Sequence, residues 1–429
     1  MKTGPITDIR PNLRELNTSW MATDWRLKEL KSKMHAEHAK LVQWNCALPV
    51  TNIEFRPLRE IMDIQAVGSV LASALASPLL LAVACCASLK LAAGALNFIW
   101  SLCAAYLLRQ ADFWTMLLPE KTGYWRNRVA WVTGSSSGVG LSLCRLLAHR
   151  GCRVIMSSRK IEDLQAAKQD VVTFCSLKGV QKSENDFLLL PFDLLQLESF
   201  EDIVVKATAW APNGRIDFLF NNAGIASRGL FMSYEAAEKI IKTDLLAQMK
   251  LTKLLLPIMS KAGFGHIIFT NSGRSKLVAC GHEPYSVSKV GLLCFAEALS
   301  RDLKAKNMNI FVTSALPSYI RTKISYKTLG PDGTPLTDDT SYMHTDTAAG
   351  LPPDTVARYM LKAASNKLRE CWIATTPVLF YLYLQAYLPD LASSLLDLRA
   401  EAHALEIEQE AQELEEIAQR VSRCPPHST

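Results

Sequence analysis

Between residues 128 and 323, short β-branched runs alternate with longer stretches whose apolar residues recur at helical spacing. Arg128-Val129-Ala130-Trp131-Val132 predicts a buried strand, and Leu141-Ser142-Leu143-Cys144-Arg145-Leu146-Leu147 predicts the helix after it. Further strands are expected over Arg153 to Ser157 and His266-Ile267-Ile268-Phe269-Thr270. Strands separated by helices need crossovers, so the pattern predicts βαβ units: an α/β fold with a doubly wound parallel sheet and helices on both faces. This domain is placed at 125–375. Within it, Lys327-Thr328-Leu329-Gly330-Pro331-Asp332-Gly333 has turn chemistry and predicts a long mobile loop over 324–352.

The patterning differs on either side. Residues 1–65 mix both charges with no early apolar core, which predicts a polar leader and no signal peptide. Ala66 to Leu89 carries no charge, and after Lys90 the chain is apolar again from Leu91 to Leu108. One helix through 66–109 would be about 65 Å long, twice the hydrocarbon thickness of a bilayer. One segment is therefore expected to span a membrane while the other lies at its interface. Ten Lys and Arg precede residue 66, but Arg109, Lys121, Arg126 and Arg128 follow, so charge does not decide the orientation. Residues 376–398 are expected to form an apolar interfacial helix, and 399–429 an acidic, solvated helical tail.

Composition narrows the function classes. Half of the 429 residues are apolar, enough for one large domain with extensions. The net charge of +6 is dispersed, with no basic patch interleaved with aromatics, which argues against nucleic-acid binding. The eleven cysteines are scattered and show no metal spacing. They are read as free thiols in a reducing compartment, with no metal site expected.

The chemistry lies in an ordered set of motifs. Thr133-Gly134-Ser135-Ser136-Ser137-Gly138-Val139-Gly140 joins the first strand to its helix. Glycines at 134, 138 and 140 permit a tight turn and close backbone approach, and the helix N-terminus then faces a pyrophosphate. At the end of the second strand a dinucleotide site for NAD(H) usually carries an acid. Here Ser157-Ser158-Arg159 stands instead, and Arg159 can pair with a 2′-phosphate, which favours NADP(H). Tyr285 and Lys289 are four apart and share a helix face. Carbonyl reduction puts negative charge on oxygen, and a proton donor must answer it. A tyrosine pKa of roughly 10 is poorly matched to neutral pH, and a neighbouring ammonium lowers it. Ser272, at the end of a strand, can bond the same oxygen. Cys280 and His282 lie nearby, but no third partner for a Cys/His nucleophile is evident.

These motifs, with Asn221-Asn222-Ala223-Gly224 and Tyr285-Ser286-Val287-Ser288-Lys289, resemble the short-chain dehydrogenase/reductases with a Tyr-x-x-x-Lys centre, over about 128–375. The resemblance implies a Rossmann fold with Tyr285, Lys289 and Ser272 as its catalytic residues. It also implies cofactor contacts from Gly134, Ser136, Ser137, Gly138, Val139 and Gly140 at the phosphates. Asp193 and Leu194 would flank the adenine, with Asn221, Asn222, Ala223 and Gly224 at the ribose and central sheet. Pro317, Ile320 and Thr322 would lie along the nicotinamide. A homodimer through the helix bearing Tyr285 is a further implication.

The run from Asn221 to Gly229, the run from Pro317 to Ser325, Pro331-Asp332-Gly333 and the apolar tail at Pro377 look like the membrane-anchored group called dehydrogenase/reductase SDR family member 7B. That implies an NADPH-dependent reductase on the endoplasmic reticulum or peroxisome membrane, and the free cysteines place its domain on the cytosolic side. Its substrates would be lipidic carbonyls such as acyl- or alkyl-dihydroxyacetone phosphate. Steroid, retinoid and sphingoid-base ketones stay open. Two positions depart from the family. Asp244 stands where an asparagine usually holds a relay water, and Ser318 stands where glycine usually follows the proline. A non-catalytic cofactor sensor or scaffold is therefore a competing expectation.

Overall fold

A computed structural model describes residues 110–322, 324, 327–337 and 343–423, together with Lys90, Gly94 and Ile99. The polar leader and the expected membrane segment at 66–109 otherwise lie outside the described residues. Among the described residues no helix is long and apolar enough to cross a membrane.

Seven strands form one parallel sheet: β1 Val129–Thr133, β2 Arg153–Ser157, β3 Phe187–Leu189, β4 Phe218–Asn221, β5 Gly265–Thr270, β6 Ile310–Pro317 and β7 Glu370–Ile373. Their order is β3-β2-β1-β4-β5-β6-β7. Alternate residues of a strand serve opposite faces. In β1, Ala130 and Val132 face one core and Val129 and Trp131 the other. Both faces are covered, which is why these strands are apolar throughout.

In chain order the helices are α1 Phe113–Leu117, α2 Gly138–His149, α3 Ile161–Leu177, α4 Phe200–Trp210, α5 Tyr234–Ile241, α6 Ala247–Lys261, α7 Glu283–Ala305, α8 Thr345–Ala348, α9 Pro353–Ser365, α10 Val378–Tyr387, α11 Pro389–Asp397 and α12 Ala400–Arg423. Leu143, Leu147, Leu164 and Met360 of α2, α3 and α9 fill one core. Phe200, Leu251, Leu255 and Leu292 of α4, α6 and α7 fill the other. The strand order reverses between β1 and β4, and such switch points open a crevice at the carboxyl ends of the strands.

Three expectations change in detail. The described part of the 324–352 loop is pinned: Leu329 joins a small core with Met232, Ala236 and Ile240. Leu329 also exchanges backbone hydrogen bonds with Ala226 and Arg228, at 2.9 and 3.0 Å. The apolar tail is two helices, α10 and α11, broken at Leu388-Pro389. Leu379, Leu382 and Tyr383 of α10 pack on Leu277 and Ala374 of the domain. The described part of the acidic tail is the helix α12, and it is solvated on part of its surface only, since Ile407 is buried.

Candidate active site

The β1–α2 turn needs its glycines for two reasons. Gly134 and Gly138 have φ of +66° and +56°, the left-handed region. At Gly140 an added Cβ would stand 2.1 Å from the Gly134 carbonyl oxygen, so only glycine lets α2 press against the turn. Ser137 caps α2 without a side-chain hydrogen bond, and Gly138 and Val139 of the first helical turn line the cleft. A helix start of this kind offers backbone N–H groups and a positive dipole end to an anion.

Thr133 and Asn222 tie the strand ends together. Thr133 Oγ1 accepts the N–H groups of Asn222 and Ala223, both at 3.0 Å. Asn222 Nδ2 donates to the Thr133 carbonyl at 2.9 Å, and its Oδ1 accepts from Thr270 Oγ1 at 3.1 Å. One side chain thereby fixes β1, β4 and β5 at the mouth of the crevice.

That crevice is a single cleft of about 1460 Å³. Gly134, Ser136, Ser137, Gly138, Val139, Arg159, Asp193, Leu194, Asn222, Ala223 and Gly224 line it, as do Pro317, Ile320 and Thr322. Two expected cofactor residues do not. Gly140 is turned onto the Gly134 carbonyl behind the turn. Asn221 is buried in β4 and donates to Thr252 Oγ1 at 3.0 Å, so it braces the wall instead of facing the cleft. Arg159 is exposed, two residues past β2, and pairs with no acidic side chain among the described residues.

Ser272, Tyr285, Lys289 and Asp244 reach the same cleft. Ser272 follows β5 and accepts the N–H of Arg274 at 3.2 Å. Tyr285 and Lys289 lie on adjacent turns of α7, with Lys289 Nζ 5.4 Å from the centre of the tyrosine ring. Asp244 sits on a π turn, Lys242–Leu246, between α5 and α6. Such turns recur at functional sites because they re-aim one side chain inside a helix. Asp244 Oδ1 accepts the N–H of Ile225 at 2.8 Å, and Oδ2 is 3.0 Å from Lys289 Nζ. Burial opposes the lysine charge, yet the Asp244 carboxylate and Tyr285 outweigh it and hold the Lys289 pKa above its ordinary value. Burial raises the Asp244 carboxyl above the usual carboxylate value, against the pull of Lys289.

Cys280 and His282 do not form a pair. Cys280 Sγ donates to the carbonyl of Ala400 at 3.6 Å, and His282 Nδ1 donates to the carbonyl of Ser227 at 2.6 Å. Burial, then Arg274, pushes the His282 pKa down to about 3. Among the described residues no three His, Cys, Asp or Glu side chains converge as a metal site.

The family model for short chain dehydrogenase matches residues 128–330. The Drosophila melanogaster dehydrogenase/reductase SDR family protein 7-like is 31% identical over 268 residues, covering 62% of this chain and 78% of that protein. The chain belongs to the short-chain dehydrogenase/reductase family. Another member, the Xenopus tropicalis dehydrogenase/reductase SDR family member 7B, is 26% identical over 280 residues, 65% of this chain and 87% of that one. The fold is that of a short-chain dehydrogenase/reductase from Burkholderia phymatum, solved in complex with NAD. That match has a TM-score of 0.51 at 17% identity and covers 62% of this chain and 96% of the other.

Relative to the family pattern, Ser318 costs this short-chain dehydrogenase/reductase no backbone strain. Its φ is not positive, and its N–H donates to the Ile373 carbonyl at 2.9 Å. Sequence reasoning missed a group of polar residues that also line the cleft: Arg228, Arg274, Tyr319, His344 and Glu410. Arg274 Nη2 donates to the Tyr319 hydroxyl at 3.2 Å. Arg228 and Arg274 each follow closely on a motif, after Gly224 and Ser272, and that adjacency was the available signal.

Proposed function

We propose that this short-chain dehydrogenase/reductase is a membrane-tethered NADP(H)-dependent oxidoreductase that interconverts a carbonyl and an alcohol on a lipidic substrate. The observation that carries the reading is the convergence of Ser272, Tyr285 and Lys289 in the cleft entered by the β1–α2 turn. The glycine turn and the α2 N-terminus suit a pyrophosphate, and the Arg159 guanidinium suits a 2′-phosphate. A bound dihydronicotinamide would supply the hydride.

In this reading Tyr285 donates its phenolic proton to the substrate oxygen as negative charge develops there. Ser272 Oγ–H donates a second hydrogen bond to that oxygen and fixes its position. The Lys289 ammonium, 5.4 Å from the centre of the tyrosine ring, attracts the negative charge that develops during the proton transfer. Asp244 keeps Lys289 charged. In the alcohol-oxidising direction the same tyrosine accepts the proton.

Apolar lining supports a lipidic substrate. Ile225, Leu230, Leu277, Val278 and Tyr381 line the cleft, and Phe231 at its edge is 89% exposed. Acyl- or alkyl-dihydroxyacetone phosphate is the substrate class we favour, with steroid, retinoid and sphingoid ketones as the alternatives. For the membrane, Trp114 and Leu117 are exposed on α1, immediately after the apolar 66–109 stretch. Leu388, Leu391 and Leu398 are exposed on the tail beside α10, whose Tyr383 hydroxyl accepts the N–H of Phe113 at 3.1 Å. An endoplasmic reticulum or peroxisomal location, and a homodimer through α7, belong to the same proposal.

A second reading draws on the Lys289–Asp244 ion pair: an ammonium held by a carboxylate supports Tyr285 less, and the protein binds cofactor without turnover as a sensor or scaffold. Titrating the full chain with NADPH and NADH, then adding a panel of lipid ketones, separates the two. Tight NADPH binding with ketone-dependent oxidation supports the reductase. Binding with no oxidation supports the sensor.

A further inference from the structure

The helix α12 reaches the cleft wall from a distant part of the chain, with His403, Glu406 and Glu410 in the lining. Its Ile407, 4% exposed, lies on Gly281, where an added Cβ would be 2.3 Å from the isoleucine Cδ1. Three residues on, and so on the same helix face, Glu410 reaches Arg228, with Oε2 2.5 Å from Nε. Arg228 is 8% exposed and lines the cleft that holds Ser272, Tyr285 and Lys289. His344 meets the same carboxylate oxygen, its Nε2 at 3.3 Å. His344 Nδ1 accepts the N–H of Asp346 at 3.2 Å, which leaves the ring proton on Nε2. His344 Nε2 thus turns its N–H edge towards Glu410. A guanidinium and a ring N–H converging on one carboxylate are the donor set of an anion site. The neighbouring acids are otherwise engaged: Glu406 faces His403 at 3.4 Å, and the Asp346 carboxylate lies against the Tyr319 hydroxyl.

We propose that Arg228 and His344 form an anion subsite for the head group of an amphiphilic substrate, a phosphate or a carboxylate, and that Glu410 is its built-in competitor. The proposal rests on the reading of this cleft as the substrate cleft. A buried guanidinium cannot cheaply lose its counter-ion. Glu410 can thus leave only as another anion arrives, and the exchange conserves charge. A neutral ligand of the same chain length has nothing to exchange. The cleft volume of about 1460 Å³ exceeds the roughly 300–1,000 Å³ of an ordinary small-molecule pocket, which fits two ligands side by side.

The test is calorimetric titration of the full-length protein, without nucleotide, with octyl phosphate, octanoate and octanol. Wild type, Glu410→Gln and Arg228→Gln are compared, with melting curves as the control for folding. Glu410→Gln should tighten octyl phosphate, octanoate or both at least five-fold and leave octanol unchanged. The stronger gain names the head group. Arg228→Gln should bind the two anions no better than octanol. Should Arg228→Gln fail to fold, Arg228→Lys takes its place and should weaken both anions at least three-fold. Equal anion affinity in wild type and Glu410→Gln, or an equal gain for octanol, overturns the subsite and leaves a structural clasp. NADPH titration of the same samples is read separately. Loss of NADPH binding with a retained anion gain sinks the reductase reading and keeps the subsite.

Discussion

Lys289 Nζ stands 3.0 Å from Asp244 Oδ2, with both side chains buried beneath the cleft. The pair couples the α5–α6 turn to the helix that carries Tyr285, and it holds the lysine charge against burial. Asp244→Asn removes that support, so the Lys289 pKa falls. The alkaline limb of the pH–rate profile should therefore move to lower pH in this variant. A limb that stays in place contradicts the coupling. Turnover restored by this variant counts against the sensor reading.

Arg159 is the cofactor-selecting residue of this account. Charge-assisted hydrogen bonds contribute about 1.5–3 kcal/mol, so Arg159→Ala should weaken NADPH roughly ten- to hundred-fold. NADH affinity should change little. Fluorescence titration with both nucleotides reads the ratio directly, and an equal loss for both would assign Arg159 a general electrostatic role.

Gly140→Ala tests the backbone contact behind the turn. The added Cβ meets the Gly134 carbonyl oxygen at 2.1 Å, and backbone must shift. Overpacking of this kind costs about 1–3 kcal/mol. Denaturant unfolding should show that loss, and NADPH affinity should fall with it. An alanine variant as stable as wild type contradicts the contact.

Stability should fall on mild acidification. His266 is buried between Tyr124 and Thr313, and burial, then Lys367 and Arg128, push its pKa from 6.5 down to about 3. The unfolded chain takes up this proton near pH 6.5 and the folded protein only near 3. Stability tied to His266 is complete above pH 6.5 and lost below it, at roughly 1.4 kcal/mol per pH unit. Urea unfolding at pH 7 and pH 5.5 measures the slope. His266→Gln should start less stable and fall less steeply; an unchanged slope contradicts the assignment.

Much of this fold is legible in sequence because its signals are local. Val129 and Trp131 against Ala130 and Val132 make β1 apolar on both faces, and a buried parallel strand reads as such. The glycine turn and the Tyr285–Lys289 spacing are equally local. What escaped depends on contacts between distant segments. Arg228 meets Glu410 from 182 positions away, and no periodicity announces that meeting. The acidic pattern of α12 conceals that Ile407 has a partner, because the partner is the bare backbone of Gly281. Asn221 and Gly140 belong to cofactor motifs yet serve behind the wall, since motif membership does not say which way a side chain or a missing one faces. Ser318 departs from the family's glycine in sequence, yet its φ is not positive, so the backbone after β6 makes no demand for glycine there.

The most direct test of the central claim is NADPH oxidation by full-length wild type and Tyr285→Phe with a saturating lipid ketone, with NADPH affinity measured on the same samples. Removing a positioned proton donor should lower turnover about 10²–10⁴-fold, with NADPH affinity unchanged. Undiminished turnover in Tyr285→Phe would contradict the role of Tyr285 and the reaction built on it.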